Sequence, residues 1–214
     1  MISLLALIIL SPVFIIVSFI LLCTGEHYVF YKQERMGYNN RKFKIWKFAT
    51  MLKNSPNMGT GSLTLKNDPR VFPFGRFLRK TKINELPQII NVLIGDMSIV
   101  GPRPQMEVDF RRYPQHIQNI IYKVKPGITG IGSIIFRDEE TIISRAKGRE
   151  IEVYENQIAP YKGALEEWYQ HRISFLIDCK LVFLTVWVII FSQSNLPYKI
   201  LKELPAKPDF LLIP

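Results

Sequence analysis

Long apolar segments lie near both ends of the chain, and shorter apolar and polar stretches alternate between them. Residues 4–23 carry no charged side chain, and three residues interrupt the apolar run, namely Ser11, Pro12 and Ser18. About 20 such residues are enough to cross a hydrocarbon core of about 30 Å. The pattern therefore predicts a membrane helix over residues 1–24.

Pro12 lies in the middle of this first segment. Proline lacks a backbone N–H and clashes with the carbonyl four residues earlier, so we expect a broken helix there. Either half alone is too short to cross a membrane. The residues leave two geometries open, a kinked spanning helix and a helix that re-enters the side it came from. The Ser11 hydroxyl is a candidate partner for the carbonyl that Pro12 leaves free. A signal peptide is disfavoured, because no basic residue precedes the run and no small-residue cleavage site follows it.

The second apolar segment, residues 173–191, contains Asp178 and Lys180 near its start. These charges make it a poor spanning segment, so we predict a helix in the membrane interface, with a buried core helix as the alternative. Basic residues are frequent after the first segment, and positive residues beside a membrane segment stay in the cytoplasm. We therefore expect the bulk of the protein to face the cytoplasm. The residues concerned are Lys32, Arg35, Arg41, Lys42, Lys44, Lys47 and Lys53.

Between the two membrane candidates, the pattern predicts a β-hairpin and then a series of helices. Residues 28–31 and 43–48 are typical of strands, and residues 37–40 supply a turn. Residues 54–68 are rich in Asn, Gly, Ser and Thr and predict a loop. A plain surface loop explains them as well as a loop that closes over a substrate. The predicted helices cover residues 85–93, 108–122, 139–157 and 161–172, with a turn at 126–130 and a break at Pro160.

The first of these helices has recognisable end signals. Asn84 is the expected N-cap, Pro87 lies in the first turn, and Gly95 ends the helix. Glu85 then lies at a helix N-terminus, where the helix dipole and free backbone amides favour anions.

Composition narrows the class of partner. The 214 residues carry a formal net charge of +10, which calls for a nucleic acid, a phosphorylated substrate or an acidic membrane surface. We expect no nucleic-acid partner, because the basic residues are spread along the chain and form no recognisable binding module. Cys23 and Cys179 lie in apolar segments without metal-ligand spacing, so neither a disulfide framework nor a zinc site is expected.

Basic residues in the centre of the chain are suited to a diphosphate. Arg79 and Arg103 offer planar forks of donors that match phosphate, and Lys80 adds another positive charge. Glu85 is the leading candidate ligand for Mg²⁺, because one carboxylate is enough when phosphate oxygens and waters complete the shell. By spacing alone, an acid that stabilises a helix start explains Glu85 better.

Residues 78–104, LRKTKINELPQIINVLIGDMSIVGPRP, resemble the signature of bacterial sugar transferases, the monotopic phosphoglycosyl transferases. YKQERMG at residues 31–37, FKIWKFATM at 43–51 and KPGITG at 125–130 resemble further family motifs in the right order. Ala49 stands where the family usually has arginine. Residues 131–140 also depart from the family pattern, which leaves the sugar specificity open.

The resemblance implies a fold and a reaction. The fold would be α+β and mainly helical: a monotopic membrane protein with a Pro-broken re-entrant helix, interfacial amphipathic helices and a small β-hairpin. The domains would be a membrane helix at residues 1–24, a cytoplasmic catalytic domain at 25–192 and a C-terminal tail at 193–214. The enzyme would transfer a sugar 1-phosphate from a UDP-sugar to undecaprenyl phosphate in the bacterial inner membrane, with Mg²⁺, and so initiate surface polysaccharide or glycan synthesis. Whether it forms a homodimer stays open.

The resemblance also implies a catalytic Asp-Glu pair, whose aspartate attacks the β-phosphate of the donor. Here Asn84 stands in the place of that aspartate, followed by Glu85. A neutral carboxamide is a poor nucleophile. Three hypotheses remain open: a natural enzyme in which Glu85 or another carboxylate attacks, an inactivated variant of an active enzyme, and a pseudoenzyme that retains ligand binding.

Overall fold

The computed structural model of the chain describes residues 2–58, 64–65, 67–191 and 194–211. These residues form a mainly helical domain with two small two-stranded sheets, β1–β2 antiparallel and β3–β4 parallel, which confirms the expected mainly helical fold with a hairpin. The elements are α1 (Ile2–Cys23), β1 (Phe30–Met36), β2 (Lys42–Phe48), α2 (Pro73–Lys80), α3 (Gln88–Ile94), β3 (Ser98–Val100), α4 (Glu107–Phe110), α5 (Gln115–Ile120), β4 (Gly127–Thr129), α6 (Ile131–Ile135), α7 (Glu139–Ser144), α8 (Glu150–Val153), α9 (Ala159–Gln170), α10 (Phe175–Ile190) and α11 (Leu196–Ile200).

Helix α1 runs from Ile2 to Cys23 with Pro12 inside it, so no non-helical segment separates its two halves. Pro12 cannot donate to the carbonyl of Ile8, and the Ser11 hydroxyl donates to that carbonyl instead, at 2.7 Å. By length and composition, Ser3–Cys23 could cross a membrane, and it is the one such helix among the described residues.

One stripe of α1 packs on the rest of the protein along the whole helix. Ser3, Val17 and Leu21 are buried, and the residues at intermediate positions of the same stripe are half-buried. Val17 and Leu21 share a cluster with Phe48 of β2 and Leu78 of α2. The opposite face leaves large apolar side chains exposed: Leu4, Leu5, Ile8, Ile9, Ile15, Ile16, Phe19 and Leu22.

The predicted hairpin is confirmed. The register of β1 and β2 runs from Phe30 opposite Phe48 to Met36 opposite Lys42. The connecting turn has two residues in the left-handed region, Asn39 with φ 53° and Asn40 with φ 56°. Asparagine tolerates this conformation better than other residues with a side chain, so the local sequence favours the turn.

The connection between α2 and α3 differs from the prediction. Ile83–Glu85 forms a separate 3₁₀ turn, and α3 begins only at Gln88. Asn84 is therefore not an N-cap, and Glu85 is not at the start of an α-helix. Gly95 ends α3 as expected, with φ 91°. The helix α2 just before this turn was not predicted from the sequence.

The predicted turn at residues 126–130 is a short strand, β4, that pairs in parallel with β3. Backbones approach very closely here. A Cβ on Gly127 would lie 2.1 Å from the nitrogen of Gly101, and a Cβ on Gly130 would lie 2.1 Å from the oxygen of Gly101. Glycines at these positions thus hold the segment that leads to Arg103 against the second sheet.

Two of the predicted helices are interrupted. Residues 108–122 form α4 and α5, because Pro114 starts a new helix. Residues 139–157 form α7 and α8, between which Gly148 has φ 92°. The predicted break at Pro160 is wrong. A π-helical turn links α8 directly to α9, and Pro160 lies in the first turn of α9, where proline is tolerated.

Helix α10 has one buried and one exposed apolar face. Leu181, Leu184 and Val188 are buried in the main core, whereas Phe175 at the start and Ile190 at the end are exposed. Thus α10 belongs to the core, and only its outer face is available to a membrane interface.

The described part of the predicted C-terminal tail packs on α9. The Trp168 indole donates to the carbonyl of Lys202 at 3.2 Å, and the Tyr161 hydroxyl donates to that of Pro205 at 3.0 Å. Residues 193 and 212–214 of the predicted tail lie outside the described residues, as do residue 192 and residues 59–63 and 66 of the predicted loop.

Candidate active site

A single large pocket contains all five site residues that the sequence analysis singled out. Its volume is about 1120 Å³, and the hairpin, the connection between α2 and α3, the segment after Arg103 and the start of α7 form its walls. Arg79, Lys80, Asn84, Glu85 and Arg103 all line it. Arg35 and Lys47 line the pocket as well, so residues from the motifs at 31–37, 43–51 and 78–104 come together in it.

Glu85 is a buried carboxylate held between two cations. Its Oε1 accepts from Lys47 Nζ at 3.2 Å and from Arg103 Nη2 at 3.3 Å, and its side chain is 14% exposed. Burial opposes ionisation, but the charges of Lys47, Arg103 and Lys82 outweigh it and hold the pKa of Glu85 well below its usual range. Glu85 is therefore ionised at neutral pH. We call Lys47, Asn84, Glu85 and Arg103 the floor of the pocket.

Lys47 is a site residue that the sequence indicates only as a basic residue beside the membrane segment. Burial lowers its pKa most, and three arginines, Arg35, Arg103 and Arg79, lower it further, against the effect of Glu85. A usable signal was present in β2. Because side chains alternate across a strand, Lys47 shares a face with Ile45, which is 2% exposed. A lysine on the apolar face of a strand indicates a buried charge.

Asn84 lies beside Glu85 in the 3₁₀ turn and is 5% exposed. Its Oδ1 is buried and has no hydrogen-bond partner among the described residues. Buried polar atoms normally have partners, because leaving one unpaired costs about 1–3 kcal/mol. The unpaired Oδ1 is therefore available to a hydrogen-bond donor of a ligand in the pocket.

The residues predicted to bind phosphate differ in whether their side chains are already paired with an acid. Arg103 pairs with Glu85, and this carboxylate raises the pKa of the guanidinium. Arg79 pairs with Glu140 of α7. Lys80 lines the pocket. The pocket also includes Arg35, whose Nε is buried and unpaired among the described residues. The sequence analysis did not single out Arg35 as a site residue.

A second group of buried charges lies deeper in the domain. Lys162 of α9 is 2% exposed and donates to Glu139 Oε1 at 2.7 Å. Glu166, one turn further on, is also 2% exposed, and burial raises its pKa to about 7. The backbone N–H groups of Arg103 and Gly132 hydrogen-bond to Glu166. Glu166 thus ties the segment that carries Arg103 to the start of α6.

The floor fits a magnesium ion only in combination with a substrate. No group of three or more His, Cys, Asp or Glu side chains gathers in the described part of the chain. Glu85 Oε2, however, has no hydrogen bond from the described residues, so it is an available hard oxygen ligand. The cations around Glu85 repel a divalent ion until phosphate groups neutralise them. The donor set therefore fits Mg²⁺ bound by Glu85 together with diphosphate oxygens.

The sequence matches the family described as bacterial sugar transferase over residues 1–192. It is 37% identical to the UDP-glucose:undecaprenyl-phosphate glucose-1-phosphate transferase of Escherichia coli (strain K12), over 86% of this chain and 37% of that protein. It is 30% identical to the exopolysaccharide production protein ExoY of Sinorhizobium fredii, over 91% of this chain and 84% of that protein.

A third relative is the uncharacterized sugar transferase EpsL of Bacillus subtilis (strain 168), which is 36% identical over 78% of this chain and 72% of that protein. The chain spans less than two fifths of the Escherichia coli relative and most of ExoY. On the family match and these identities, the chain belongs to the bacterial sugar transferase family.

Proposed function

We propose that this protein transfers a sugar 1-phosphate from a UDP-sugar to undecaprenyl phosphate and so initiates a surface polysaccharide or glycan. The observation that carries the proposal is the ionised Glu85, held by Lys47 and Arg103 in a pocket lined by cations. Relatives named as transferases of this class support the choice of donor and acceptor.

The cations of the pocket bind the diphosphate of the donor. Phosphoryl transfer depends mainly on positioning and on stabilising negative charge, and arginine and lysine provide both. Arg103 keeps four guanidinium N–H groups beyond its bond to Glu85. Burial lowers the pKa of Lys82, and the nearby charge of Glu85 raises the pKa of Lys82 by a smaller amount. Mg²⁺ held by Glu85 and the phosphates would add charge neutralisation.

In this proposal the carboxylate of Glu85 attacks the β-phosphorus. A bond forms between a carboxylate oxygen and phosphorus, the bond to the bridging oxygen breaks, and UMP leaves with that oxygen. A phosphate oxygen of the lipid then attacks the same phosphorus and releases the carboxylate. The low pKa of Glu85 keeps it ionised, as the attack requires.

We further propose that α1 anchors the protein in the bacterial inner membrane without crossing it, with the catalytic domain in the cytoplasm. The packing of α1 on the domain along its whole length supports this, because a helix that stays against the domain does not extend away from it across a bilayer. Ile2→Cys should react with an impermeant thiol reagent from the cytoplasmic side, whereas labelling from the periplasm would contradict the proposal. The Cys23→Ser, Cys179→Ser background removes the two native thiols.

The reaction is tested by incubating the purified full chain with UDP-sugars, Mg²⁺ and undecaprenyl phosphate. Multiple turnovers of UMP release should require both substrates, the UDP-sugar alone should release no more than one UMP per enzyme, and Glu85→Ala should abolish both. Glu34→Gln is the matched control, because Glu34 is an exposed acid outside the pocket. Release of UDP instead of UMP would mean transfer of the sugar without its phosphate and would overturn the proposal.

A pocket that binds donor without turnover is the second candidate function, and the neutral amide of Asn84 favours it. In that case no donor would give UMP with the wild-type chain, UDP-sugars would still bind, and Asn84→Asp would restore turnover. UMP release that survives Asn84→Ala but not Glu85→Ala would exclude this candidate.

A further inference from the structure

Three exposed apolar side chains line the same pocket as the charged floor. They are Phe77 of α2, which is 52% exposed, and Ile189 and Ile190 at the end of α10, which are 43% and 67% exposed. Phe77 stacks on Phe74, which packs against the α1 cluster. The apolar surface of α10 thus reaches the pocket, and Phe77 connects the pocket to the side chains that pack beneath α1. Large apolar side chains at the mouth of a charged pocket indicate a binding site for an amphipathic ligand.

Arg137 lies beside these residues with unused hydrogen-bonding capacity. Its side chain is 14% exposed, and its Nη2 donates to the carbonyl of Ile189 at 3.4 Å. Its Nη1 pairs with Asp138 at 3.1 Å, while its Nε is buried without a partner among the described residues. A guanidinium with a free N–H binds phosphate oxygens well. We call Phe77, Arg137, Ile189 and Ile190 the rim.

Electrostatics connect the rim to the floor. Burial lowers the pKa of Lys82 most, and the charge of Arg137 lowers it further, while Glu85 raises it. Lys82 therefore lies within electrostatic reach of both Arg137 and Glu85. A phosphate bound at Arg137 would share the pocket with the carboxylate on the floor, because Arg137 and Glu85 both line it.

We propose that the rim binds the acceptor, an isoprenoid lipid monophosphate. Phe77, Ile189 and Ile190 contact its first isoprene units, and Arg137 binds its phosphate. This inference rests on the proposed function, since it names the binding site for the second substrate of that reaction. The geometry favours a lipid phosphate over a free phosphate, because a free phosphate would make no use of the three apolar side chains.

The test measures binding of farnesyl phosphate, farnesol, inorganic phosphate and UDP to the full chain in detergent. In the Ile189→Ser, Ile190→Ser double variant, the affinity for farnesyl phosphate should fall roughly tenfold, because isoprene contacts are lost. The affinity for UDP should not change. Arg137→Gln should lower the affinity for farnesyl phosphate about as much and should leave the affinity for farnesol unchanged. Arg137→Lys should recover part of the lost affinity for farnesyl phosphate. Inorganic phosphate should bind weakly and should not respond to the double variant.

The matched control is the Phe175→Ser, Leu176→Ser double variant, at the other end of the same helix. These residues are 86% and 64% exposed and do not line the pocket. If both double variants lose affinity for farnesyl phosphate equally, the lipid adsorbs generally to apolar surface and the inference is overturned. Wild-type affinity for farnesyl phosphate in the Ile189→Ser, Ile190→Ser protein would also overturn it. Thermal melting identifies any variant that fails to fold.

The outcomes separate this inference from the proposed function. If farnesyl phosphate binds through the rim but no donor yields UMP, the rim site stands and the transfer reaction fails. If UMP is released and the rim variants leave the acceptor KM unchanged, the reaction stands and the rim site fails.

Discussion

The floor and the rim of the pocket differ in exposure and in pairing. On the floor, one carboxylate oxygen of Glu85 accepts hydrogen bonds from Lys47 and Arg103. At the rim, Ile189 and Ile190 are exposed, and the neighbouring Arg137 has an unpaired Nε among the described residues. Family-like motifs supply the floor. Arg137 of the rim lies within residues 131–140, where the sequence departs from the family pattern. Under the two proposals, the floor carries the phosphate chemistry and the rim binds the lipid acceptor.

Removing the carboxylate of the floor should have the largest effect. We expect Glu85→Gln to lower kcat by on the order of 100-fold to 1000-fold, because it removes the ionised group but keeps the size of the side chain. The rate of UMP release at saturating substrate concentrations measures this change in kcat, and Glu34→Gln is the control. A loss of less than about threefold would place the chemistry on another residue.

A cation of the floor should matter less than its carboxylate. Lys47→Met should raise the donor KM by about 10-fold to 100-fold, because a buried charge partner of Glu85 and of the diphosphate is lost. Lys32→Met on the neighbouring strand removes an exposed lysine that lies over Trp46, and it should change the KM little. The comparison with the rim breaks down if Ile190→Ser raises the donor KM as much as Lys47→Met does.

Glu166 should give the protein a pH-dependent stability. Burial raises its pKa from 4.5 to about 7, so the stability contributed by the protonated form is fully present below pH 4.5 and is lost as the pH rises through about 7. Glu166→Gln should remove this loss and melt roughly 3 °C above the wild-type chain at alkaline pH. Parallel melting curves of the two proteins across pH 5 to 8 would contradict the assignment, and Glu34→Gln serves as the exposed control.

The smallest effect is expected at Asn84. Because its Oδ1 has no partner among the described residues, Asn84→Ala breaks no hydrogen bond of that atom. We expect kcat within about threefold of the wild-type value if Glu85 attacks phosphorus. A loss as large as that of Glu85→Gln would show that the amide itself takes part in the reaction.

The sequence was most informative where local chemistry decides the structure. The alternation of residues 43–48, the asparagines of the turn and the αL glycine Gly95 predict the hairpin and the end of α3 correctly. The effects of the prolines depended on their position in the helix. Pro12 is accommodated because Ser11 replaces the missing donor, and Pro160 falls in a first turn. Pro114 was overlooked and starts a new helix.

The candidate site was predictable only in part. Motifs pointed to Arg79, Lys80, Asn84, Glu85 and Arg103, and all five line one pocket. Local spacing gave the wrong reason for Glu85, since Lys47 and Arg103 stabilise its charge rather than a helix dipole. Lys47 is 38 residues away from Glu85, so their pairing depends on how β2 packs beside the α2–α3 connection. Such long-range contacts leave no periodic signal in the sequence.

The most direct measurement follows the β-phosphorus of the donor. The wild-type chain is incubated with a UDP-sugar labelled with ³²P at the β-position, Mg²⁺ and undecaprenyl phosphate, and the lipid is then extracted. The label should move into the lipid fraction at the rate of UMP release, and Glu85→Gln should prevent this transfer. Label that stays in the aqueous fraction while the sugar reaches the lipid would contradict sugar 1-phosphate transfer.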